Sequence, residues 1–581
     1  KPYLLYTRYP LLYPARPSWA MLRRVMDVRN RIVANEYGIQ LRNSLQYTAE
    51  RLRDIAPGTL NERQLDNTLW KRYLYPSIDA VTQKIHALSP LEQSYFYALY
   101  NFITKELYTS KSGDVEYEGR TGASALWLAT LEEKSENGEI LYDLAIRQNC
   151  AADIHKPYLL LERTHTDIDT LPNFRQGDAI VLYERNVSED NVTNKMVFKG
   201  NIEEISDCNI RIRLRAAQQN VRVLPMESRY AIEHDYMDTS FRCMYWGLSA
   251  FLSATKDRRD LLLNQRKPEF DTALNGAIRQ IGAISAAADD FVRITLKAQA
   301  AKDYFLLVGP PGTGKTSRAL RSMVEAFYRE GKEILLLSYT NRAVDEICKM
   351  LTAITPEVDF IRIGSELSCD GVYRPHLIEN VLEPCSTRRE VQERMARCRI
   401  FVGTVATLSG KTELFRLKTF DVALIDEATQ ILEPQLLGLL CMRGVTGGNA
   451  IGKFVLIGDH KQLPAVVLQS SEQSEIQDEG LRGIGLHNLK DSLFERLYRN
   501  AISQQAVGGR QTSAFNSRFS AFNSLDMLCR QGRMNVEVAA FPNRAFYGGL
   551  LQPVGLEHQT GVLKLSPQLS ADEFAALLTR R

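Results

Sequence analysis

The sequence is poor in the residues that build metal centres and covalent frameworks. Its 581 residues include only eight histidines, and its nine cysteines are scattered without a C-x-x-C pair. That spacing argues against a zinc or iron–sulfur site and is expected of a reducing, cytosolic compartment. No apolar run approaches the ~18 residues of a membrane span, so no membrane partner is expected. The N-terminus shows no signal-peptide pattern, and a start at Lys1 rather than Met is expected of a piece of something longer. Charge excess is small as well. With 72 Lys and Arg against 69 Asp and Glu, the formal net charge is +3, so a nucleic-acid surface must come from local clustering. What is present is ordinary globular composition, 44% hydrophobic and 24% charged, over a length that predicts three or four domains.

The most specific feature is Gly309-Pro310-Pro311-Gly312-Thr313-Gly314-Lys315-Thr316, followed by Ser317. An apolar run, Tyr304 to Val308, precedes it and a helix-like run, Ser317 to Arg329, follows, which is the strand–loop–helix setting of a P-loop. Glycines let backbone N–H groups curl around phosphate oxygens, and the helix N-terminus adds its positive dipole end. Lys315 is expected to reach the β- and γ-phosphates and Thr316 to ligate Mg²⁺, so residues 309–317 form the expected cradle for ATP or another NTP.

Residues 1–165 read as mostly helical, with Leu and aromatic positions at helical spacing, such as Leu69, Tyr73 and Leu74, then Tyr95, Tyr97, Leu99 and Phe102. The period changes over 166–235, where Asp178–Glu184, Met196–Ile205 and Asn209–Arg215 predict short strands of a small antiparallel barrel. Arg211, Arg213 and Arg215 alternate with apolar residues there, as a solvated face or as phosphate contacts would. Residues 236–290 return to helix. The region 291–500 then alternates continuous apolar strands with helices, the mark of an α/β fold with a parallel sheet covered on both faces. Those strands are Tyr304–Val308, Ile334–Ser338, Phe360–Ile363, Ile400–Gly403, Val422–Ile425 and Phe454–Ile457. The polar stretch 469–524, with its near-tandem Ser513–Ser517 and Ser520–Ser524, predicts a mobile connection, and 501–524 a linker. A last α/β piece is expected over 525–581.

Two further clusters narrow the chemistry. Leu424-Ile425-Asp426-Glu427-Ala428 puts two carboxylates at the end of a buried strand. Asp426 is expected to hold Mg²⁺ and Glu427 to orient and deprotonate the attacking water. Gly458-Asp459-His460-Lys461-Gln462-Leu463-Pro464 ends another strand, and Gln462 is placed to sense the γ-phosphate.

Together with Ser338–Asp345, Gly403-Thr404, Asp426–Gln430, Gln531–Met534, Phe541-Pro542 and Phe546-Tyr547, these motifs resemble superfamily 1 helicases. Within them they are similar to the 1B group, which contains the nonsense-mediated-decay helicase and the replication nuclease-helicase. The resemblance covers about residues 290 to 555 and the barrel just upstream. It implies a RecA-like P-loop domain preceded by a helical stalk and a small β-barrel, and followed by a partial second RecA-like domain. It makes Arg533 an arginine finger, and Thr340, Asn341 and Thr404 contacts to a single strand, DNA rather than RNA. Implied with these are five-prime to three-prime translocation and a place in repair or replication. An RNA helicase and a nucleotide-gated binding module without unwinding are the alternatives.

Three departures carry expectations of their own. Phe291 stands where the family reads the adenine edge with Gln, and Gly532 where it stacks an aromatic. Weak discrimination among NTPs follows. Motifs V and VI have no counterpart before Arg581, so a chain of this extent is expected to bind nucleotide and nucleic acid yet hydrolyse slowly. Lys1 to about Gln40 is expected to be part of a helical stalk, with the tail of an upstream nuclease as the alternative; residues 1–165 hold no convincing Asp…Glu-x-Lys set and no nuclease site is assigned.

Overall fold

A computed structural model of the chain describes residues 83–112, 129–163, 173–192, 194–235, 239–271, 290–354, 356–507 and 524–560. Its first long element is helix α1 (Pro90–Ser112). Tyr95, Tyr97, Leu99 and Phe102 are all buried, because this helix is enclosed by neighbours on several sides. Helix α2 (Leu131–Glu136) starts at Thr130 through a reciprocal capping box with Glu133.

A closed six-stranded antiparallel barrel follows, built from β1 (Ile140–Cys150), β2 (Tyr158–Arg163), β3 (Ala179–Glu184), β4 (Val197–Ile205), β5 (Asn209–Leu214) and β6 (Arg229–His234). The strands run around it in the order β1-β2-β5-β4-β3-β6, and Ile180, Leu182, Ile202, Ile210, Ile212 and Ile232 fill its interior. Closure leaves no unpaired sheet edge. Helices α3 (Thr239–Ser253) and α4 (Lys256–Leu262) then return towards α1, with the rings of Tyr95 and Phe251 5.2 Å apart.

Helix α5 (Asp290–Ala300) leads into a seven-stranded parallel sheet. In chain order its elements are β7 (Tyr304–Val308), α6 (Arg321–Arg329), β8 (Ile334–Ser338), α7 (Asn341–Thr352), β9 (Phe360–Ile363), β10 (Ile400–Thr404), β11 (Phe420–Ile425), α8 (Glu433–Leu440), β12 (Ile451–Gly458), α9 (Leu493–Val507) and β13 (Leu525–Met527). Across the sheet the order is β13-β7-β12-β11-β8-β10-β9. Alternate residues of one strand feed two separate cores. Leu306, Leu335 and Leu337 pack on one face, while Phe305, Leu307 and Leu336 pack on the other, so the strands read as unbroken apolar runs. Past the sheet, β14 (Arg530–Gln531) pairs in parallel with β15 (Gln552–Pro553), and helix α10 (Val536–Phe546) lies between them.

Two contacts fix the stalk to the sheet domain. A Cβ on Gly247 of α3 would sit 1.9 Å from the Pro434 carbonyl of α8, so only glycine permits that approach. The buried Glu433 accepts a bond from the Tyr95 hydroxyl of α1 and pairs with Arg496 of α9 at 2.6 Å.

Several expectations change. The barrel starts at Ile140 rather than at 166, and its first two strands fall in the stretch read as helical. The cause is local: Asp143 adopts a left-handed φ of 55°, and β1 shifts register between Leu141 and Leu144 and again between Ile146 and Gln148. Two bulges break the alternation that marks a strand. The supposed mobile connection is structured from 469 to 507. Gln469, Ser474 and Ser492 are buried, and the backbone N–H groups of Leu468 and Gln469 donate to Glu106 of α1 at 2.6 and 3.1 Å. Polar residues there satisfy one another rather than solvent. β13 is an edge strand of the first sheet, so the chain at 525 still belongs to the first lobe. Arg211 and Arg213 pair with Glu203, and Arg215 with Asp235, which favours a braced barrel face over phosphate contact. The nuclease-tail segment, the aromatic positions near 70 and the tandem repeat up to residue 523 lie outside the described residues.

Candidate nucleotide site

Every strand of a parallel sheet points its carboxyl end at the same edge, and ligands bind in the crevice outside that edge. β7 delivers the P-loop there, β8 delivers Thr340 and Asn341, and β10 delivers Thr404. From β11 come Asp426 and Glu427, from β12 Asp459 to Gln462, and from β13 the run to Arg533.

The P-loop itself is a strained turn into a helix. Gly312 and Gly314 have φ of 74° and 80°, a region costly to any residue with a Cβ. Thr313 braces the turn by donating to the Pro310 carbonyl at 2.7 Å. The first turn after it, Lys315–Leu320, is a π-helix, with Arg318 and Ala319 both donating to the Gly314 carbonyl.

Lys315 and Thr316 meet the β11 carboxylates directly. Lys315 Nζ lies 3.1 Å from Glu427 Oε1, and Thr316 Oγ1 donates to Asp426 Oδ2 at 2.6 Å. Burial raises the Asp426 carboxyl above its ordinary range, and the Thr316 bond pulls it partly back. A buried carboxylate beside a hydroxyl is a hard-oxygen donor set of the kind a small divalent cation takes. The residues present therefore fit Mg²⁺, and the glycine cradle fits a triphosphate. Glu427 is held at φ 54°, ψ 37°. Such left-handed strain costs about 1–3 kcal/mol and gathers at functional sites.

Gln462 is exposed, and its amide donates to Asp459 Oδ2 at 2.8 Å. Arg533 is exposed beside the P-loop. A Cβ on Gly312 would lie 2.5 Å from the Arg533 Cβ, and the Gly532 N–H donates to the Gly312 carbonyl at 2.9 Å. Gln531 fixes that turn, its amide oxygen accepting from the N–H groups of Arg533 and Met534 at 3.1 and 2.8 Å. Beneath it, Asp526 of β13 is fully buried and pairs with Lys297 of α5 at 3.0 Å and Arg293 at 3.1 Å.

Between these parts opens a cavity of about 570 Å³, bordered by Phe291, Gly312, Arg318, Gly532, Arg533 and Leu556. The Arg318 guanidinium sits 4.4 Å from the Phe291 ring centroid. Gln299 faces elsewhere, donating to Glu330 at 2.5 Å.

The expected strand contacts lie further along the same edge. Thr340 is exposed and caps α7, accepting from the Ala343 N–H at 3.2 Å, and Asn341 is exposed beside it. α7 is anchored through Asp345, which pairs with the buried Arg362. Thr404 is buried and caps the next helix, accepting from the Thr407 N–H at 3.1 Å. Sequence reasoning missed Arg318 and the Lys297–Asp526 pair, and neither has a local signal, because each partner is distant in sequence.

Fold and site together define a RecA-like P-loop nucleotide-binding domain with a barrel-bearing stalk. A family profile described as an AAA domain matches residues 287–398 and 384–470. The chain is 25% identical over 501 residues to the DNA replication ATP-dependent helicase/nuclease DNA2 of Bos taurus, covering 84% of this chain and 41% of that protein. It is 31% identical over 335 residues to the DNA replication ATP-dependent helicase/nuclease JHS1 of Arabidopsis thaliana, covering 56% of this chain and 23% of that protein. To the DNA polymerase alpha-associated DNA helicase A of Saccharomyces cerevisiae it is 23% identical over 424 residues, covering 63% and 57%. By these matches the chain is similar to superfamily 1B helicases, in the group of these replication helicase/nucleases. It spans about two fifths of the length of the first of these relatives.

Proposed function

We propose that the chain is the motor portion of an ATP-dependent translocase that moves five-prime to three-prime along single-stranded DNA in replication or repair. The observation that carries this reading is the meeting of Lys315 and Thr316 with Glu427 and Asp426 at one sheet edge. Lys315 and the backbone of residues 309–317 bind the phosphates, and Thr316 and Asp426 would hold Mg²⁺. Its positive charge, when bound, would offset the negative charge of the phosphate oxygens. Glu427 accepts the proton of the attacking water as that oxygen bonds to the γ-phosphorus. The bond to the β–γ bridging oxygen breaks, and the nucleoside diphosphate keeps the electron pair. Arg533, on a turn braced against Gly312, is positioned to meet the charge of the transferring phosphoryl group. Thr340, Asn341 and Thr404 line the edge along which a strand would lie, contacted through its phosphates and so in a salt-dependent way.

Free cysteines throughout suit a reducing compartment. Among the described residues no helix is long and apolar enough to cross a membrane.

The test is phosphate release from ATP with magnesium, with and without single-stranded DNA or RNA of one sequence. The reading predicts stimulation by DNA and loss of at least about a hundredfold in Glu427→Gln, with triphosphate binding retained. Stimulation by RNA alone would replace DNA by RNA as the track. Unchanged turnover in Glu427→Gln would contradict the proposed chemistry.

A further inference from the structure

One carboxylate oxygen joins two parts of the site that are 85 residues apart in sequence. Asp459, at the end of β12, is buried to 1% exposure. Its Oδ1 accepts the N–H of Lys461 at 3.0 Å. Its Oδ2 accepts two side-chain donors, the Gln462 amide at 2.8 Å and the Tyr547 hydroxyl at 2.7 Å. Tyr547 is itself buried and caps the C-terminus of α10, where its N–H donates to the Asn543 carbonyl at 3.1 Å. α10 begins three residues after Arg533, and the Arg533 turn rests on Gly312. The segment carrying the guanidinium is therefore pinned at both ends, at one against the P-loop and at the other against the loop of Gln462.

We infer that Tyr547 is a positioning residue for Gln462, acting through Asp459. The inference rests on the nucleotide-hydrolysing reading above and deepens it. A buried carboxylate must be supplied with donors. With the tyrosine hydroxyl in place, Oδ2 keeps a donor when Gln462 turns towards a γ-phosphate. Without it, Gln462 is the only side-chain donor to Oδ2, and its departure costs what a hydrogen bond to a charged group is worth. Tyr547 thereby makes Gln462 available, and couples that choice to the segment holding Arg533. Burial and the neighbouring Asp459 charge both keep the Tyr547 hydroxyl protonated, as a donor must be.

The experiment compares the full chain with Tyr547→Phe, Gln462→Ala and the double variant, measuring kcat and KM for ATP with single-stranded DNA. A displacement assay with a fluorescent nucleotide gives the affinity ratio of a non-hydrolysable triphosphate to ADP, a readout independent of turnover. Tyr547→Phe is expected to lower kcat and the affinity ratio each by roughly tenfold or more, with KM nearly unchanged. In the Gln462→Ala background it should add nothing, because its effect passes through that side chain. A purely structural tyrosine would lower the melting temperature and add its effect in both backgrounds. If Tyr547→Phe melts early, adding Asp459→Asn supplies the second reading, since an uncharged acceptor holds Gln462 less tightly and should restore part of the lost kcat and affinity ratio; no recovery would overturn the inference. Wild-type kcat and affinity ratio in Tyr547→Phe, or additivity with Gln462→Ala, overturn the inference while leaving the hydrolysis reading intact. A parent chain that neither binds nor hydrolyses triphosphate overturns both.

Discussion

Replacing Asp526 by Asn removes the negative charge that balances a buried lysine. Lys297 is 1% exposed and Asp526 0%, with Nζ and Oδ2 3.0 Å apart. Burial already lowers the Lys297 pKa, and Asp526 is the group that holds it up. Breaking such a pair from one side costs about 3–5 kcal/mol, because the remaining charge stays buried against an amide. Arg293 contributes less, since it is partly exposed and also pairs with Asp290 at 2.7 Å. The damage should be local to β13, which adds only a short parallel pairing to β7 and carries the approach to Arg533. Hydrogen exchange in the peptide 524–531 is the suitable assay, because the Leu528 N–H donates to the Val308 carbonyl across that pairing. A loss of about 3 kcal/mol appears as exchange faster by roughly a hundredfold. Adding Lys297→Met should restore much of the protection, because an apolar chain of similar length needs no counter-charge. Exchange within about threefold of the parent in Asp526→Asn, or no recovery in the double variant, would refute the reasoning.

Two other outcomes follow from the same geometry. Phe291 has no hydrogen-bonding group to offer a base, and Gly532 on the same cavity has no ring to stack. Hydrolysis of ATP and GTP under saturating single-stranded DNA should therefore differ by less than about tenfold, and a hundredfold preference for ATP would contradict this. His460 is partly buried against the Tyr498 ring at 4.3 Å, and desolvation lowers its pKa to about 4, with Lys461 and Arg499 adding to the shift and Asp459 opposing it. A depressed histidine binds fewer protons folded than unfolded, so its contribution to stability falls as pH drops below about 6.5. Relative to His460→Phe, the parent should lose roughly 2 kcal/mol between pH 7 and pH 5. Equal pH slopes in the two proteins would show that the ring is protonated without cost.

What could be read in advance was what local pattern controls. Five-residue apolar runs at β7 and β8 mark strands covered on both faces, and the glycines of 309–314 mark a phosphate loop without any tertiary information. β1 was illegible because Asp143 and two register shifts scramble its alternation. The ordered stretch 469–507 was illegible because its polar side chains are buried by partners such as Glu106, which is more than 360 residues away. At the site, Lys315, Thr316, Asp426 and Glu427 were named from motifs, and the structure brings them within hydrogen-bonding reach of one another. The role of Asp459 as a shared acceptor appears only when α10 folds back onto β12. A three-residue strand such as β13 carries too few positions for any period to show.

The central claim is that residues 309–317 hold a magnesium-bound triphosphate. Calorimetric titration of a non-hydrolysable ATP analogue into the chain, with magnesium and with EDTA, tests it most directly. The account predicts one-to-one binding that requires magnesium and is lost in Lys315→Ala. Binding that is absent at millimolar analogue, or unchanged in Lys315→Ala, would contradict it.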